Sequence, residues 1–432
     1  MWKIFFLFLP LLGFSELSNE YYLGGIQIYE PDQPKWANSL KHHGFNTVHV
    51  TTYAKQGIWN STDLHYPEKY PEVVKKIQGA KSQGLKVIFI PRVALDQTLP
   101  ENQHYWHGMI MPETDQQLRE WFRKYSDYLL GLAKICEQEK VEVFALGSEM
   151  KALTNTLHRL PGKIDQTSQG LVNWYTKYPD KIQLTSGDQT LIDQYHEYYT
   201  SLSKAHIAWA NEVYYLQDPF LNIYVVQNRR ALLHELWKET ITELRTVFSG
   251  KLTYAANFDE YMNTGLWPLI DIMGINAYFP LRKDATILTQ EGLDAAWAER
   301  LRQINTIRVQ HKVTHQPVIF TELGYTFKSN SSVSPWAYQG TSIVENDEKE
   351  EEVSQLFEWG KQDRNYNERA MCLEALQKAA HLPGNSFLQG ILYWKLSTDK
   401  KHEEIEPYVL DISPESTDQA LNPLKKLFSR KF

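Results

Sequence analysis

The 432-residue chain has little excess charge and very few cysteines. Its formal net charge is −7, and without a basic excess it lacks the positive patch that nucleic acids and anionic membranes require. The two cysteines, Cys136 and Cys372, lie in segments with helical patterns. A disulfide framework is therefore not expected, and we interpret both as free buried thiols.

Long apolar runs are also scarce, and the most conspicuous one stands at the N-terminus. In "MWKIFFLFLPLLGFSELSNE" one lysine precedes an apolar run from Ile4 to Phe14, followed by small and polar residues. This pattern predicts a secretory signal peptide over residues 1–18 and one catalytic domain over residues 19–432. The run is too short for a transmembrane helix, and no later segment has the required length. We expect a secreted or periplasmic protein without a membrane span.

Motifs for metal ions and phosphates are missing as well. His42 and His43 are adjacent on a predicted helix and would not face one ion, and "HYWH" at 104–107 has no partner cluster. The glycines of "YLGGIQ" lack the lysine and helix start of a phosphate-binding loop. "LGSEM" lacks the second glycine of a nucleophile elbow. We expect no metal ion and no cofactor.

The composition points to a large globular domain rich in aromatic residues. Hydrophobic residues make up 42% and charged residues 22% of the chain, which suits a sizeable core. Aromatic residues make up 13%, including 13 Trp and 25 Tyr. Such rings offer flat apolar faces with polar tips, which suit a neutral, weakly polar partner such as an oligo- or polysaccharide.

Short apolar runs alternate with helical patterns along the chain, which indicates repeated βα units and a parallel sheet. Eight strands are predicted, at 21–29, 46–54, 86–95, 141–150, 251–261, 271–279, 317–325 and 390–398. Helical patterns include 116–139, 231–248 and 367–382, with a last helix near "NPLKKLFSRKF". Eight such units predict the α/β class and a closed (β/α)8 barrel, the TIM barrel.

One interval is too long for a βα loop. Residues 155–230 form a predicted insertion after the fourth strand, with "NWYTKYP", "DQYHEYY" and "YYLQDPF" among its segments. Its aromatic residues either line a sugar cleft or pack into a small subdomain of their own. The acidic run "ENDEKEEE" at 345–352 is interpreted as a solvated part of a later loop.

Two of the predicted strands end in a glutamate. "VEVFALGSEM" ends strand four with Glu149, and "PVIFTELGY" carries Glu322 near the end of strand seven. In parallel barrels the carboxyl ends of the strands meet at one rim, where ligands bind. Two carboxylates on one rim suit glycoside hydrolysis, in which one protonates the leaving oxygen and the other attacks or activates water. The alternative for Glu322 is an ordinary strand-terminal acid in an ion pair.

The order and placement of five motifs resemble a known family. "YYLGGIQI", "FALGSEM", "DIMGINAYFP", "VIFTELGY" and "ILYWKLS" together resemble clan A of the glycoside hydrolases and, within it, family 113. The resemblance runs from about Tyr21 to Ser397, apart from the insertion. It implies a retaining (β/α)8 enzyme that acts on β-1,4-mannan or related β-mannosides.

The resemblance also implies roles for individual residues. It makes Glu149 the general acid/base and Glu322 the nucleophile. It makes Tyr278 a hydrogen-bond donor to the nucleophile and Trp394 a platform for the sugar, although either aromatic could be an ordinary part of the rim. Ser148 departs from the clan, which usually has an asparagine there that contacts the sugar's 2-hydroxyl. This substitution bears on which sugar is bound, since contacts to that hydroxyl strengthen in the transition state.

The residues themselves favour the same two roles, an acid/base at Glu149 and a nucleophile at Glu322. An acid that works near neutral pH needs a raised pKa, which apolar surroundings and the negative charge of Glu322 would give to Glu149. Glu322 must stay ionised to attack, and Tyr278 and Arg92 are candidate donors to it. Arg92, at the end of strand three, would serve equally in a structural ion pair.

Two asparagines, Asn257 and Asn276, also end strands. Their amides either bind sugar hydroxyls or cap loops. The sequence thus predicts a secreted retaining β-glycoside hydrolase. The alternatives are an inactive carbohydrate-binding barrel and a clan A hydrolase of another β-glycan.

Overall fold

The structure is a computed structural model. It describes residues 21–428 except for 29, 103–104, 113, 155–218, 284–286, 339–340, 345–354 and 359–362. The predicted signal peptide, residues 155–218 of the predicted insertion and the acidic run at 345–352 lie outside the described residues.

Eight parallel strands close into a barrel. Each strand pairs with the next along the chain, and the eighth pairs with the first. The strands are β1 (Tyr22–Gln27), β2 (Thr47–Gln56), β3 (Lys86–Leu95), β4 (Val143–Ser148), β5 (Lys251–Asn257), β6 (Ile272–Asn276), β7 (Val318–Leu323) and β8 (Leu388–Ser397). The predicted fold class is confirmed.

The strands are apolar on both faces, because one face lies in the barrel interior and the other is covered by helices. Inward-facing side chains such as Ile88, Ile90 and Ile319 fill the barrel, and outward-facing ones such as Val87 and Phe89 pack against the helices. The barrel closes where Gly24 of β1 meets Thr47 of β2. A Cβ atom on Gly24 would stand 1.7 Å from the Thr47 carbonyl oxygen, so only glycine allows this approach.

Helices surround the barrel. They are α1 (Gln33–His42), α2 (Pro71–Ser82), α3 (Asp115–Gln138), α4 (Pro219–Arg245), α5 (Gln290–Gln310), α6 (Tyr366–Ala380) and α7 (Leu421–Lys426). The start of α3 follows from its sequence, because Thr114 and Gln117 form a reciprocal capping box. The fifth βα unit differs from the prediction: between β5 and β6 the structure has the 3₁₀ turn Trp267–Leu269 in place of a full helix.

The boundaries of the predicted insertion also need correction. Helix α4 begins at Pro219, so residues 219–230 belong to the helical layer. The chain after β7 contains an antiparallel pair, Thr341–Val344 with Gln355–Glu358, which flanks the acidic run. Cys136 and Cys372 are free and buried, as predicted. Among the helices in the described part of the chain, none is long and apolar enough to cross a membrane.

Candidate active site

Glu149 and Glu322 come together at the carboxyl rim of the barrel. Glu149 directly follows β4, and Glu322 is the next-to-last residue of β7. One amide joins them, since Nδ2 of Asn276 lies 2.9 Å from Oε1 of Glu149 and 3.1 Å from Oε1 of Glu322. The two carboxylate oxygens are therefore no more than about 6 Å apart, the sum of the two distances.

The backbone at Glu149 has an unusual conformation. Its φ is 56°, in the left-handed region that side chains other than glycine rarely adopt. Hydrogen bonds on both sides hold it there: the Glu149 N–H donates to the Ala255 carbonyl at 2.9 Å, and the Met150 N–H donates to the Tyr254 hydroxyl at 2.6 Å. Such strain persists only where the surroundings impose it, and here it fixes the direction of the carboxylate.

Glu322 is surrounded by donors. The Tyr278 hydroxyl donates to Oε2 at 2.7 Å, and the guanidinium of Arg92 donates to Oε1. Only 4% of the Glu322 side chain is exposed, so these contacts act with little screening by water. Burial raises the pKa of Tyr278 well above its usual value, which keeps the phenol protonated and able to donate. The ionised carboxylate is thereby stabilised.

Two small residues make this arrangement possible. Thr321 donates its hydroxyl to Oδ1 of Asn276 at 2.9 Å, which turns the amide N–H groups toward the carboxylates. A Cβ atom on Gly324 would stand 3.1 Å from the Tyr278 ring and 2.9 Å from the Trp394 carbonyl oxygen. Glycine at position 324 thus lets the Tyr278 ring approach the backbone that follows β7. Ser148 is buried beside the pair, with its hydroxyl 3.2 Å from Nδ2 of Asn276.

His107 is a site residue that the sequence reasoning missed. It lies in the 3₁₀ turn His107–Met109 that follows β3, and its Nε2 is 3.0 Å from Oε2 of Glu149. In the sequence, "HYWH" is interpreted only as a possible metal motif. Its position after a barrel strand, where loops reach the carboxyl rim, is the signal that would have identified it.

The expected rise in the pKa of Glu149 is not found. Burial alone would raise it, but the hydrogen bond and charge of His107, the charge of Arg92 and the amide of Asn276 together lower the pKa below its usual value. The prediction of a raised pKa rests on desolvation and the like charge of Glu322, and it does not include His107. Without substrate, the surroundings of Glu149 thus favour its ionised form.

Trp394 stands half-buried in β8 at the same rim. The Arg92 guanidinium lies 4.9 Å from the centre of its ring, and the Lys395 ammonium lies 4.8 Å from it. Arg92 therefore contacts both Glu322 and Trp394. The imidazole of His49 lies 6.5 Å from the Trp394 ring, and burial and the charge of Arg92 hold its pKa well below the usual value, so it is neutral.

Asn257 ends β5 and contacts the turn that follows it. Its side-chain oxygen accepts from the Phe258 N–H at 2.7 Å, which caps the turn after β5. The buried carboxyl group of Glu260 in this turn accepts from the Asn257 N–H at 3.0 Å and from the Tyr254 hydroxyl at 2.7 Å. Burial raises the pKa of Glu260 to about 7 although these donors lower it. This network holds the Tyr254 hydroxyl, which accepts from the Met150 N–H next to Glu149.

Within the residues that the structure describes, no three His, Cys, Asp or Glu side chains gather closely enough to hold a metal ion. The site consists of two carboxylates with a shared amide between them, an arginine, a phenol and a histidine. Such a set can transfer protons and stabilise a carboxylate.

Comparisons with known proteins agree with this description. The model of Glycoside Hydrolase Family 113 matches residues 29–186 and 179–367, well over half of the chain. No curated protein sequence matches.

Solved structures show the same fold. One is the GH113 beta-mannanase AaManA from Alicyclobacillus acidocaldarius in complex with ManMIm, at 17% identity and a TM-score of 0.58, with 95% of this chain and 96% of that chain covered. A GH113 beta-1,4-mannanase structure has 18% identity and a TM-score of 0.56, over 95% and 99% of the two chains. At such identities the likeness shows a shared barrel.

Proposed function

Because this chain belongs to glycoside hydrolase family 113, we propose that it hydrolyses β-mannosidic bonds with retention of configuration, through Glu149 and Glu322. The observation that carries the proposal is the shared amide of Asn276, which holds Oε1 of Glu149 and Oε1 of Glu322 no more than about 6 Å apart. Retaining enzymes have carboxyl groups about 5 to 5.5 Å apart, whereas inverting enzymes need about 6.5 to 9.5 Å to admit a water molecule.

In the first step Glu322 attacks the anomeric carbon while the bond to the leaving oxygen breaks. Glu149 gives its proton to that oxygen, and a covalent glycosyl-enzyme forms. Tyr278 and Arg92 hold Glu322 in position for attack. In the second step Glu149 removes a proton from water, the water oxygen bonds to the anomeric carbon, and Glu322 is released as a carboxylate.

Glu149 must be protonated for the first step. In the free protein each oxygen of Glu149 has a partner: Oε1 is bound by Asn276 and Oε2 by His107, at 3.0 Å. We propose that the leaving oxygen takes the place of His107 at Oε2. Loss of that hydrogen bond, together with exclusion of water by the sugar, would then raise the pKa of Glu149 on binding.

The proposed substrate class is supported by similar structures and by Trp394. The two structures described above are named as mannanases, and we propose that the half-buried indole of Trp394 at the rim packs against the sugar. Ser148 is shorter than the asparagine that the clan usually places before the acid/base, so the contact to the 2-hydroxyl would differ. We further propose that the protein acts outside the cytoplasm, as the N-terminal sequence predicts.

A hydrolysis screen tests the proposed substrate class. Purified protein is incubated with β-1,4-mannan, glucomannan, xylan, cellulose and aryl β-glycosides, and reducing ends or aryl groups are measured. We expect the highest kcat/KM on mannan and on aryl β-mannosides. Preference for xylan or cellulose would reassign the substrate, and release from none of these glycans would contradict the proposal.

His107 should set the pH dependence of the acid/base. Its hydrogen bond and charge lower the pKa of Glu149, so His107→Ala should raise that pKa and leave a larger fraction of Glu149 protonated at a given pH. We expect the alkaline limb of the kcat/KM profile, which reports the acid of the free enzyme, to move to higher pH.

The control is His107→Gln, whose amide can still donate to Glu149 and should shift the limb less. An alkaline limb that stays in place in His107→Ala would show that His107 does not influence the acid/base.

A further inference from the structure

Glu260 is a fully buried carboxyl group in the turn after β5, and the two-step chemistry makes no use of it. Its Oε1 accepts from the hydroxyls of Tyr254 and Thr154, and its Oε2 accepts from the Asn257 N–H at 3.0 Å. Burial raises its pKa to about 7 in spite of these donors, so the ionised form is less favourable here than in water. The contacts of Glu260 therefore point to a role other than stability.

The direction of the Glu149 side chain depends on two hydrogen bonds to β5. The Glu149 N–H donates to the Ala255 carbonyl at 2.9 Å. The Met150 N–H, which belongs to the peptide group after Glu149, donates to the Tyr254 hydroxyl at 2.6 Å. Together the two bonded peptide groups hold Glu149 at its φ of 56°. The Ala255 carbonyl is part of a strand backbone, whereas the Tyr254 hydroxyl is a side-chain group that needs a partner of its own.

Glu260 is that partner. The Tyr254 hydroxyl donates to Oε1 of Glu260 at 2.7 Å, which leaves a lone pair of the hydroxyl for the Met150 N–H. Burial and then the charge of Glu260 raise the pKa of Tyr254 well above its usual value, so the phenol stays protonated and donates. Without Glu260 the O–H bond could turn toward the Met150 N–H, and this N–H would lose its acceptor.

Glu260 also holds the far end of the segment that carries Glu149. After Glu149 the chain passes through the 3₁₀ turn Lys151–Leu153 to Thr154, whose hydroxyl donates to Oε1 of Glu260. Asp259, next to Glu260, forms an ion pair at 2.5 Å with Lys151. The turn after β5 thus fixes residues 149–154 at both ends.

We propose that Glu260 is a positioning residue for proton transfer by Glu149, and that it acts through Tyr254 and Thr154. The inference rests on the proposed function and extends it to a third carboxyl group, which does not touch the substrate. A general acid must lie within hydrogen-bond reach of the oxygen it protonates. A misplacement of about 1 Å can cost about 10²-fold in rate.

The loss of Glu260 should therefore depend on the leaving group. The nucleophile Glu322 is held by Tyr278 and Arg92, which belong to the ends of other strands. Its attack on the anomeric carbon should persist when Glu149 is displaced. Proton donation matters for a poor leaving group and little for an activated one. A residue with only a structural role would slow the cleavage of both kinds of substrate alike.

Two aryl β-mannosides with the same sugar test this dependence. Phenyl β-mannoside has the poor leaving group and dinitrophenyl β-mannoside the activated one. For Glu260→Ala we expect kcat/KM to fall about tenfold to a hundredfold on the phenyl substrate and to stay within about threefold of wild type on the dinitrophenyl substrate. Tyr254→Phe keeps the ring and Glu260 but removes the acceptor of the Met150 N–H, and it should show the same selective loss.

Two further variants serve as controls, and thermal melts check that each variant is folded. Glu260→Gln keeps the shape and an acceptor oxygen for the Tyr254 hydroxyl, so it should retain most of the wild-type ratio of the two rates. Glu368→Ala removes another buried carboxyl group, which accepts from the hydroxyl and N–H of Ser332 at the start of α6. It should leave the ratio unchanged.

The outcomes distinguish the positioning role from the proposed function. If wild type cleaves both substrates and the folded Glu260→Ala and Tyr254→Phe variants keep the wild-type ratio, the positioning role is wrong and the proposed function stands. An equal loss on both substrates would likewise overturn the role, because it would not act through proton transfer. If wild type cleaves neither the aryl mannosides nor mannan, the proposed function fails and the positioning role falls with it.

Discussion

Replacing Glu322 by glutamine should reduce turnover of every β-glycoside by roughly four orders of magnitude or more, because an amide cannot form the glycosyl-enzyme. The loss should be as large for activated aryl substrates as for glycans, since the first step itself is removed. Steady-state rates on an aryl β-mannoside and on mannan measure it.

Glutamine is preferable to alanine as the main variant because Glu322 is buried against Arg92. Removing the side chain would leave a buried cation without a partner, which typically costs about 3 to 5 kcal/mol of stability. Glutamine keeps the shape and an acceptor oxygen, and a thermal melt checks the fold. A folded Glu322→Gln variant with wild-type rates would show that Glu322 is not the nucleophile.

Replacing Glu149 by alanine should affect substrates very unequally. Glycans with poor leaving groups should lose about 10² to 10⁴-fold in kcat/KM, the usual contribution of a general acid. Substrates with a strongly activated aryl leaving group need little protonation, so glycosylation should continue while hydrolysis of the intermediate slows. A rapid burst of aryl alcohol followed by slow turnover is the expected time course.

Azide then distinguishes the roles of the two carboxylates. In Glu149→Ala it should accelerate turnover by attacking the glycosyl-enzyme in place of activated water, which gives the β-glycosyl azide. In Glu322→Ala it should attack from the face of the missing carboxylate, which gives the α-glycosyl azide. If the α product came from Glu149→Ala, the two roles would be exchanged.

Most of the barrel could be predicted because its strands have a simple pattern. A strand buried on both faces shows as a continuous apolar run, and the predicted strand at 86–95 has the same limits as β3. The helices were harder to delimit. Helix α4 begins at Pro219, twelve residues before the predicted 231, since "PFLNIYVVQNRR" has no clear apolar period. The fifth unit has too few residues between β5 and β6 for a long helix.

The site could be predicted only where a residue lies at the end of a strand. Glu149, Glu322, Arg92 and Asn276 are brought together by strand order and register alone. His107 is placed by a loop whose path depends on tertiary packing, so its distance to Glu149 could not be predicted from the sequence. The predicted direction of the Glu149 pKa shift is wrong for the same reason, because the donor His107 was not included and it lowers the pKa.

The most direct test of the two-carboxylate mechanism is the configuration of the first product. Wild-type enzyme is mixed with an aryl β-mannoside in an NMR tube, and the anomeric proton signals are followed before mutarotation equilibrates them. Double displacement by Glu322 and Glu149 predicts that the β-anomer appears first and the α-anomer grows in later. Initial release of the α-anomer would contradict the mechanism, since it would require a water molecule between the sugar and a carboxylate, as in inverting enzymes.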